Sequence, residues 1–574
     1  MTTSTSRFHR AASRVRSVWR DPQRIGHWMD LRRDAADFRR RYGFLAQDAR
    51  PDAAEPRVLI VSLTEWVAQV KCEIMLATAL RLQGWKPAVL TRSDCVWAAR
   101  YFRSAGIDWL IPFDEALAAA DGSSGAGPWP EIAEALLQGC DTVKELLQLR
   151  FRGVFVGRHV LSTIVRTLRC GQADLEDPQI TAQLRQLLPR SLQAVDAAER
   201  VFDQVEPQLV LFLEKGYSPY GELFDLAVNR GLNTIQWVHS HRADALALKR
   251  YTAANRHEHP FSLSEETWRQ IEPMAWTDEH ERLLQEELTS RYEAGSWFSR
   301  KYLHEKKRLH SADEVRRQLG LDPAKKTAVI FSHVLWDATF FFGENLFDDY
   351  EEWLIETVTA ACANEAVNWI VKLHPDYVWK LKAMGGGEVR DRIALAARIG
   401  ALPPHVKLLE PETPISTFSL FGVADYGLTV RGTIGIELPC FGIPVFTAGT
   451  GRYSGFGFTV DSASRAEYLE KLGRIHLYPR LTASQVERAK KHAYALLTLR
   501  PCAFTTFEIV QARLDRLGHP LDHNVVIRAS SAEQLADAED LRRFAEWASR
   551  PGPHDYLATK RLTQHGVAHG PTIP

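Results

Sequence analysis

Apolar residues along this chain fall into two alternating patterns. Short unbroken runs such as Arg57-Val58-Leu59-Ile60-Val61-Ser62 are followed by stretches in which apolar positions recur every three or four residues. The first pattern predicts a buried strand and the second a helix with one buried face. One series runs through a helix over about 69–83 stopping at Gly84, strand Pro87-Ala88-Val89-Leu90, a short helix and strand Asp108-Trp109-Leu110-Ile111. A loop over 118–130 and a helical region to about 205 lead to strand Leu209–Leu213, a helix over about 220–230 and strand Thr234–Val238. Residues 262–318 are charged and mostly helical, which suits a connector.

The rhythm then restarts. Strand Thr327–Ser332 precedes a helix over 349–364, strand Trp369–Leu373 and strand Val406–Leu409. A short helix over 415–422, strand Tyr426–Val430, a helix over 433–441 and strand Pro444–Thr447 complete it. Helices over 482–500 and 533–549 follow, and residues 550–574 read as frayed. Strands alternating with helices predict an α/β protein with parallel sheets. Two such series predict two facing Rossmann-like domains, with ligands at the carboxyl ends of the strands. The boundaries are 1–54 (basic helical extension), 55–305 (first domain), 306–505 (second domain) and 506–574 (helical tail).

Composition narrows the classes. The 574 residues are 45% hydrophobic and 25% charged, with formal net charge zero, values ordinary for a globular protein and unsuited to bulk attraction to nucleic acid. That balance hides residues 1–50, which hold twelve Arg and five Asp but no Lys or Glu. Apolar Val15, Val18, Trp19, Ile25, Trp28, Leu31 and Phe38 recur there at near-helical spacing. This predicts basic amphipathic helices, broken near Asp21-Pro22, that pack on the body of the protein or meet an anionic membrane face. The seven cysteines form no CxxC pair, which fits a reducing compartment. No apolar run reaches bilayer-spanning length, and arginines interrupt any secretory core. The expected location is the cytoplasm, with a peripheral place on the inner membrane face as the variant.

Candidate chemistry concentrates in the second series. Thr429-Val430-Arg431-Gly432-Thr433-Ile434-Gly435-Ile436-Glu437 follows a strand and opens a helix. Gly432 and Gly435 allow close backbone approach. Thr433 offers a hydroxyl and the first helix amides to a phosphate, and Arg431 adds charge beside it. Glu437, one turn later, points from the same face and suits ribose hydroxyls. As a bland alternative, the stretch is a helix cap with packing glycines. His374-Pro375 ends a strand, where an imidazole can donate to a phosphate or simply cap the turn. Gly449 through Thr459 is a glycine-rich loop carrying Arg452 and Tyr453, suited to covering a ligand.

Gly435 through Asp461 resembles the bacterial capsule polysaccharide biosynthesis family, which includes the Kdo transferases of capsule export. The likeness rests on the helix start at Thr433, Gly435 and Glu437, on Gly442-Ile443-Pro444-Val445, and on the Gly449…Tyr453…Gly455…Gly457…Thr459 loop. Lys372-Leu373-His374-Pro375 matches the family's basic-apolar-His-Pro element. Phe331 through Asp337 resembles a segment of related surface-polysaccharide proteins. The resemblance implies a GT-B fold and a nucleotide-sugar donor, held by His374, Thr433, Glu437 and Tyr453. Gly455-Phe456-Gly457 stands where those transferases often carry Gly-Trp-Gly, which leaves the sugar open.

The first series should then hold the acceptor, a lipid-linked or polymeric glycan. An inverting transferase needs a base to deprotonate the acceptor hydroxyl. Strand-end candidates are Glu214 and Glu65, with His239 and His241 nearby and Asp337 in the second series; each carboxylate could equally be a cap or ion-pair partner. No phosphate-loop or HExxH motif occurs, and Asp348-Asp349 leads into a helix, so neither a metal nor a resident cofactor is implied. A sugar-nucleotide epimerase, a polyol-phosphate transferase and a non-catalytic assembly scaffold are the competing readings.

Overall fold

The computed structural model describes residues 22–46, 55–121, 127–242, 245–293, 307–383, 386–514 and 520–558. The basic stretch before residue 22 and the tail after 558 lie outside these. The chain divides into two compact units, one of residues 1–115, 205–208 and 504–550, the other of residues 116–204, 209–503 and 551–574. Parallel sheets covered by helices place the protein in the α/β class in each.

In the first unit, strands β1 (Arg57–Val61), β2 (Lys86–Thr91) and β3 (Leu110–Pro112) run parallel, with Arg57 opposite Lys86 and Val89 opposite Leu110. Helix Val67–Arg81 is buried along almost its whole length, from Val67 to Leu80. Its sequence includes Gln69, Lys71 and Glu73, which predict a solvent face, yet helix Glu539–Ser549 and an antiparallel hairpin (Phe507–Leu514 with Pro520–Ile527) pack over it. The hairpin stands where the pattern had predicted helix alone. Lys71 shows how the burial is tolerated. Its Nζ donates to Asp34 Oδ2 at 2.7 Å and to Asn524 Oδ1 at 2.6 Å, so helix Pro22–Tyr42 and the hairpin close on one buried cation. Burial would raise the Asp34 carboxyl, but Lys71 holds it below its ordinary value.

In the second unit, β4 (Leu209–Phe212) and β5 (Asn233–His239) pair parallel, and β6 (Ala245–Tyr251) adds antiparallel to β5. The pattern did not predict β6, because Lys249 and Arg250 interrupt its apolar run. Both are buried. Lys249 Nζ donates to Asp555 Oδ1 at 2.9 Å, and Arg500 Nη1 donates to the same oxygen at 2.7 Å, all three side chains being fully inaccessible. A second sheet in this unit is wholly parallel, in the order β11-β10-β7-β8-β9. Its strands are β7 (Lys326–Phe331), β8 (Val367–Lys372), β9 (Val406–Leu409), β10 (Tyr426–Thr429) and β11 (Val445–Thr447). The continuous apolar runs that predicted these strands arise because helices cover both faces.

Candidate active site

A parallel sheet brings the loops after all its strands to one edge. Here that edge collects residues 332–337 after β7, 373–376 after β8, 430–433 after β10 and 448–451 after β11. His333 organises it. The ring stacks on Tyr350 at 4.4 Å and meets Trp353 edge-on, and Nε2 accepts the Val430 N–H at 3.2 Å. Thr429 Oγ1, also 3.2 Å from that nitrogen, accepts the Gly432 N–H at 3.1 Å. Burial, reinforced by His374, Arg431 and Arg452, holds His333 far below its ordinary pKa, so the ring is neutral and Nδ1 carries its proton.

His374 sits half-buried at the end of β8. Its Nδ1 accepts the Asp376 N–H at 3.1 Å, which places the ring proton on Nε2 as a donor. Arg431 is buried, and its guanidinium clasps a neighbouring loop: Nη1 donates to Phe342 O at 2.5 Å, and Nη2 donates to Glu344 O at 3.3 Å and to Asn345 Oδ1. The same loop is zipped to the segment that follows β11, with Thr450 N donating to Glu344 O at 2.8 Å and Leu346 N to Ala448 O at 3.0 Å. Arg431 Nε has no hydrogen-bond partner among the described residues. The residue predicted to face phosphate therefore spends its two terminal nitrogens on fixing the loop.

Thr433 and Glu437 fall as their spacing predicts, on a helix start, although the α-helical part is a single turn (Ile434–Glu437) continued by a 3-10 turn. Glu437 is 1% exposed. Gly435 has a specific reason to be glycine: a Cβ there would stand 2.1 Å from Tyr453 Cζ. Tyr453 is fully buried against that glycine, so its ring packs the loop onto the helix start. Gly432 closes the turn through its N–H to Thr429.

The carboxylates divide by environment. Asp337 accepts from Arg166 Nη1 and Tyr217 Oη, both at 3.2 Å, and from Lys380 Nζ. Burial pushes Asp337 up, but Lys380 and Arg166 outweigh it and hold the carboxyl below its ordinary value. Tyr217 Oη also accepts the N–H of Ala338, a non-glycine residue at φ +55°. Glu214 follows β4, and its Oε1 accepts the N–H groups of Lys215 at 2.7 Å and Gly216 at 2.9 Å. Burial raises the Glu214 carboxyl despite those two donors and Arg166. Arg166 lies 4.5 Å over the Tyr217 ring and acts electrostatically on both carboxylates.

The remaining candidates take structural contacts. Glu65 caps a helix in the first unit by accepting the Trp97 N–H at 2.8 Å. His241 pairs with Glu287 at 3.3 Å, and His239 lies edge-on to Trp237. Asp349 caps helix Tyr350–Ala363 through the Glu352 N–H at 2.8 Å. Sequence reasoning gave no role to His333, Arg166, Tyr217, Lys380 or Asn345. Only His333 carried a signal, two residues past a strand end; the others lie on helices or loops whose register the pattern leaves open. A cavity of about 250 Å³ adjoins the clasped loop, lined among others by Lys144, Arg158, Phe340, Glu344 and Phe347.

No protein-family model and no curated protein matches the chain. Among solved structures it is similar to the KpsC beta Kdo 2,4 transferase of Thermosulfurimonas dismutans, at 14% identity and TM-score 0.31 over 52% of this chain and 82% of that one. The KpsC beta Kdo 2,7 transferase of the same organism gives 13% identity and TM-score 0.28 over 60% and 88%. The UDP-GlcNAc 2-epimerase of Neisseria meningitidis, bound to UDP-GlcNAc, gives 11% and 0.23 over 77% and 97%.

Proposed function

We propose that this chain is a GT-B glycosyltransferase that moves a sugar from a nucleotide donor to a growing capsule or surface polysaccharide, or to its lipid-linked precursor. One observation carries the reading: His374, Arg431, Thr433 and Glu437 gather at the carboxyl edge of a wholly parallel sheet, beside the neutral, buried His333. In this reading residues 306–505 hold the donor and 55–305 the acceptor. The His374 Nε2–H and the Thr433 turn face the donor phosphates, and Glu437 takes the ribose hydroxyls.

Glu214 is the base of choice. Its raised pKa brings it nearer neutrality, and Oε2 has no hydrogen-bond partner among the described residues, whereas Asp337 is held ionised by two cations. Glu214 Oε2 takes the proton of the acceptor hydroxyl as that oxygen bonds to the anomeric carbon. The bond from that carbon to the nucleotide phosphate breaks, and fixed donors stabilise the charge left on the phosphate.

Calorimetry with UDP, CMP and GDP tests the donor side: one should bind, and failure of all three overturns the reading. His374→Ala and Glu437→Ala should each abolish transfer with the circular dichroism spectrum unchanged, and transfer surviving both refutes the donor-site assignment. Glu214→Gln should lower kcat by at least about 100-fold. Interconversion of the sugar nucleotide without acceptor would reassign the chain as an epimerase.

A further inference from the structure

Four of the ten exposed large apolar side chains of the described residues gather in one place in the first unit: Trp28 at 43% exposure, Met29 at 45%, Trp66 at 67% and Val96 at 51%. Two contacts and chain adjacency bring them together. Trp28 meets Trp97 edge-on at 5.9 Å, Val96 precedes Trp97 in the chain, and Glu65, next to Trp66, accepts the Trp97 N–H. Cations frame the group. The Arg32 guanidinium lies 5.7 Å over Trp28 and that of Arg100 4.8 Å over Trp97, and neither pairs with a carboxylate among the described residues.

The acidic residues nearby are already engaged. Asp34 is bound to the buried Lys71, Asp30 lies 3.8 Å from Arg33, and Glu65 holds the Trp97 amide. Helix Pro22–Tyr42 carries six arginines against three aspartates. The surface is therefore apolar at its centre and cationic around it. Tryptophan prefers the zone between lipid headgroups and acyl chains, and arginine keeps its stem in that zone while its charge meets headgroup phosphate.

We propose that the face built by Trp28, Met29, Trp66 and Val96, with Arg32 and Arg100, docks this chain on a bilayer surface carrying anionic headgroups. The tryptophans insert at headgroup depth and the two arginines pair with lipid phosphates. The proposal does not depend on the transferase reading, because docking requires neither nucleotide nor acceptor.

The test is sedimentation of the full chain with vesicles of phosphatidylcholine alone and of phosphatidylcholine mixed with phosphatidylglycerol. The mixed vesicles should capture the chain and release it as salt is raised. Arg32→Gln and Arg100→Gln should each weaken capture about five-fold. The double change Trp28→Ser with Trp66→Ser should remove it with the circular dichroism spectrum unchanged, and Trp28→Phe with Trp66→Phe should retain part of it. Absence of capture by anionic vesicles, or capture indifferent to these substitutions, overturns the proposal. So does a concentration-dependent dimer that the serine changes dissolve, which would give the face to a second copy of the chain.

Discussion

The strands of the β7–β11 sheet and strands β1–β3 all run parallel, yet their carboxyl edges differ in kind. The first gathers His333, His374, Arg431 and Asp337, and burial and neighbouring charges lower both His333 and Asp337 from their ordinary values. At the second, Glu65 is spent on a helix cap and Trp66 stands in solvent. Parallel topology fixes where a ligand can bind, but side-chain desolvation decides whether the edge can do chemistry there. An edge that leaves its aromatic residue exposed is better suited to contact with a surface.

The contrast can be broken most strongly at Gly435. Alanine there drives a methyl into the fully buried Tyr453 ring and should cost about 3 kcal/mol, read as a lowered denaturant midpoint. An unchanged midpoint would mean that the loop is not packed on the helix start. Next comes Asp337→Asn, which removes the carboxylate that Lys380 and Arg166 share. Because Arg166 is 48% exposed, the expected loss is about 2 kcal/mol, below the cost of breaking a fully buried pair.

pH sharpens the comparison further. His333 stays neutral in the fold, while in the unfolded chain it takes up a proton below about pH 6.5. Stability contributed by the neutral ring is thus complete above that pH and falls on acidification by about 1.4 kcal/mol per pH unit. His333→Phe should flatten the measured slope between pH 6 and 5 by about that amount. The smallest effect is expected at the other sheet: Glu65→Ala removes a cap and should cost about 1 kcal/mol or less. A collapse of transfer in that variant would make Glu65 the base and erase the contrast.

Much of this was legible in the chain. Strands that bury both faces announce themselves as apolar runs, so β7, β8 and β10 and the residues just past their ends could be located. The His374 turn and the Thr433 helix start needed only local spacing. β6 was not legible, because Lys249 looks solvent-facing until Asp555, 306 residues away, is placed beside it. The hairpin escaped for a related reason: its register depends on what it packs against. The same holds for Arg431. Its charge was visible, but its hydrogen bonds run to carbonyls some ninety residues earlier, and no local pattern encodes such a partner.

The Asp555 network gives the chain a test of completeness. Arg500 is laid down long before residue 555 emerges, and until it does the guanidinium sits in a dry interior among carbonyl oxygens with no carboxylate, whereas Lys249 already has Glu258 at 2.9 Å. A polypeptide ending at Arg550 would carry nearly every strand and helix described here and still fail to close. Quality-control proteases could therefore tell a finished chain from an aborted one by a single carboxylate.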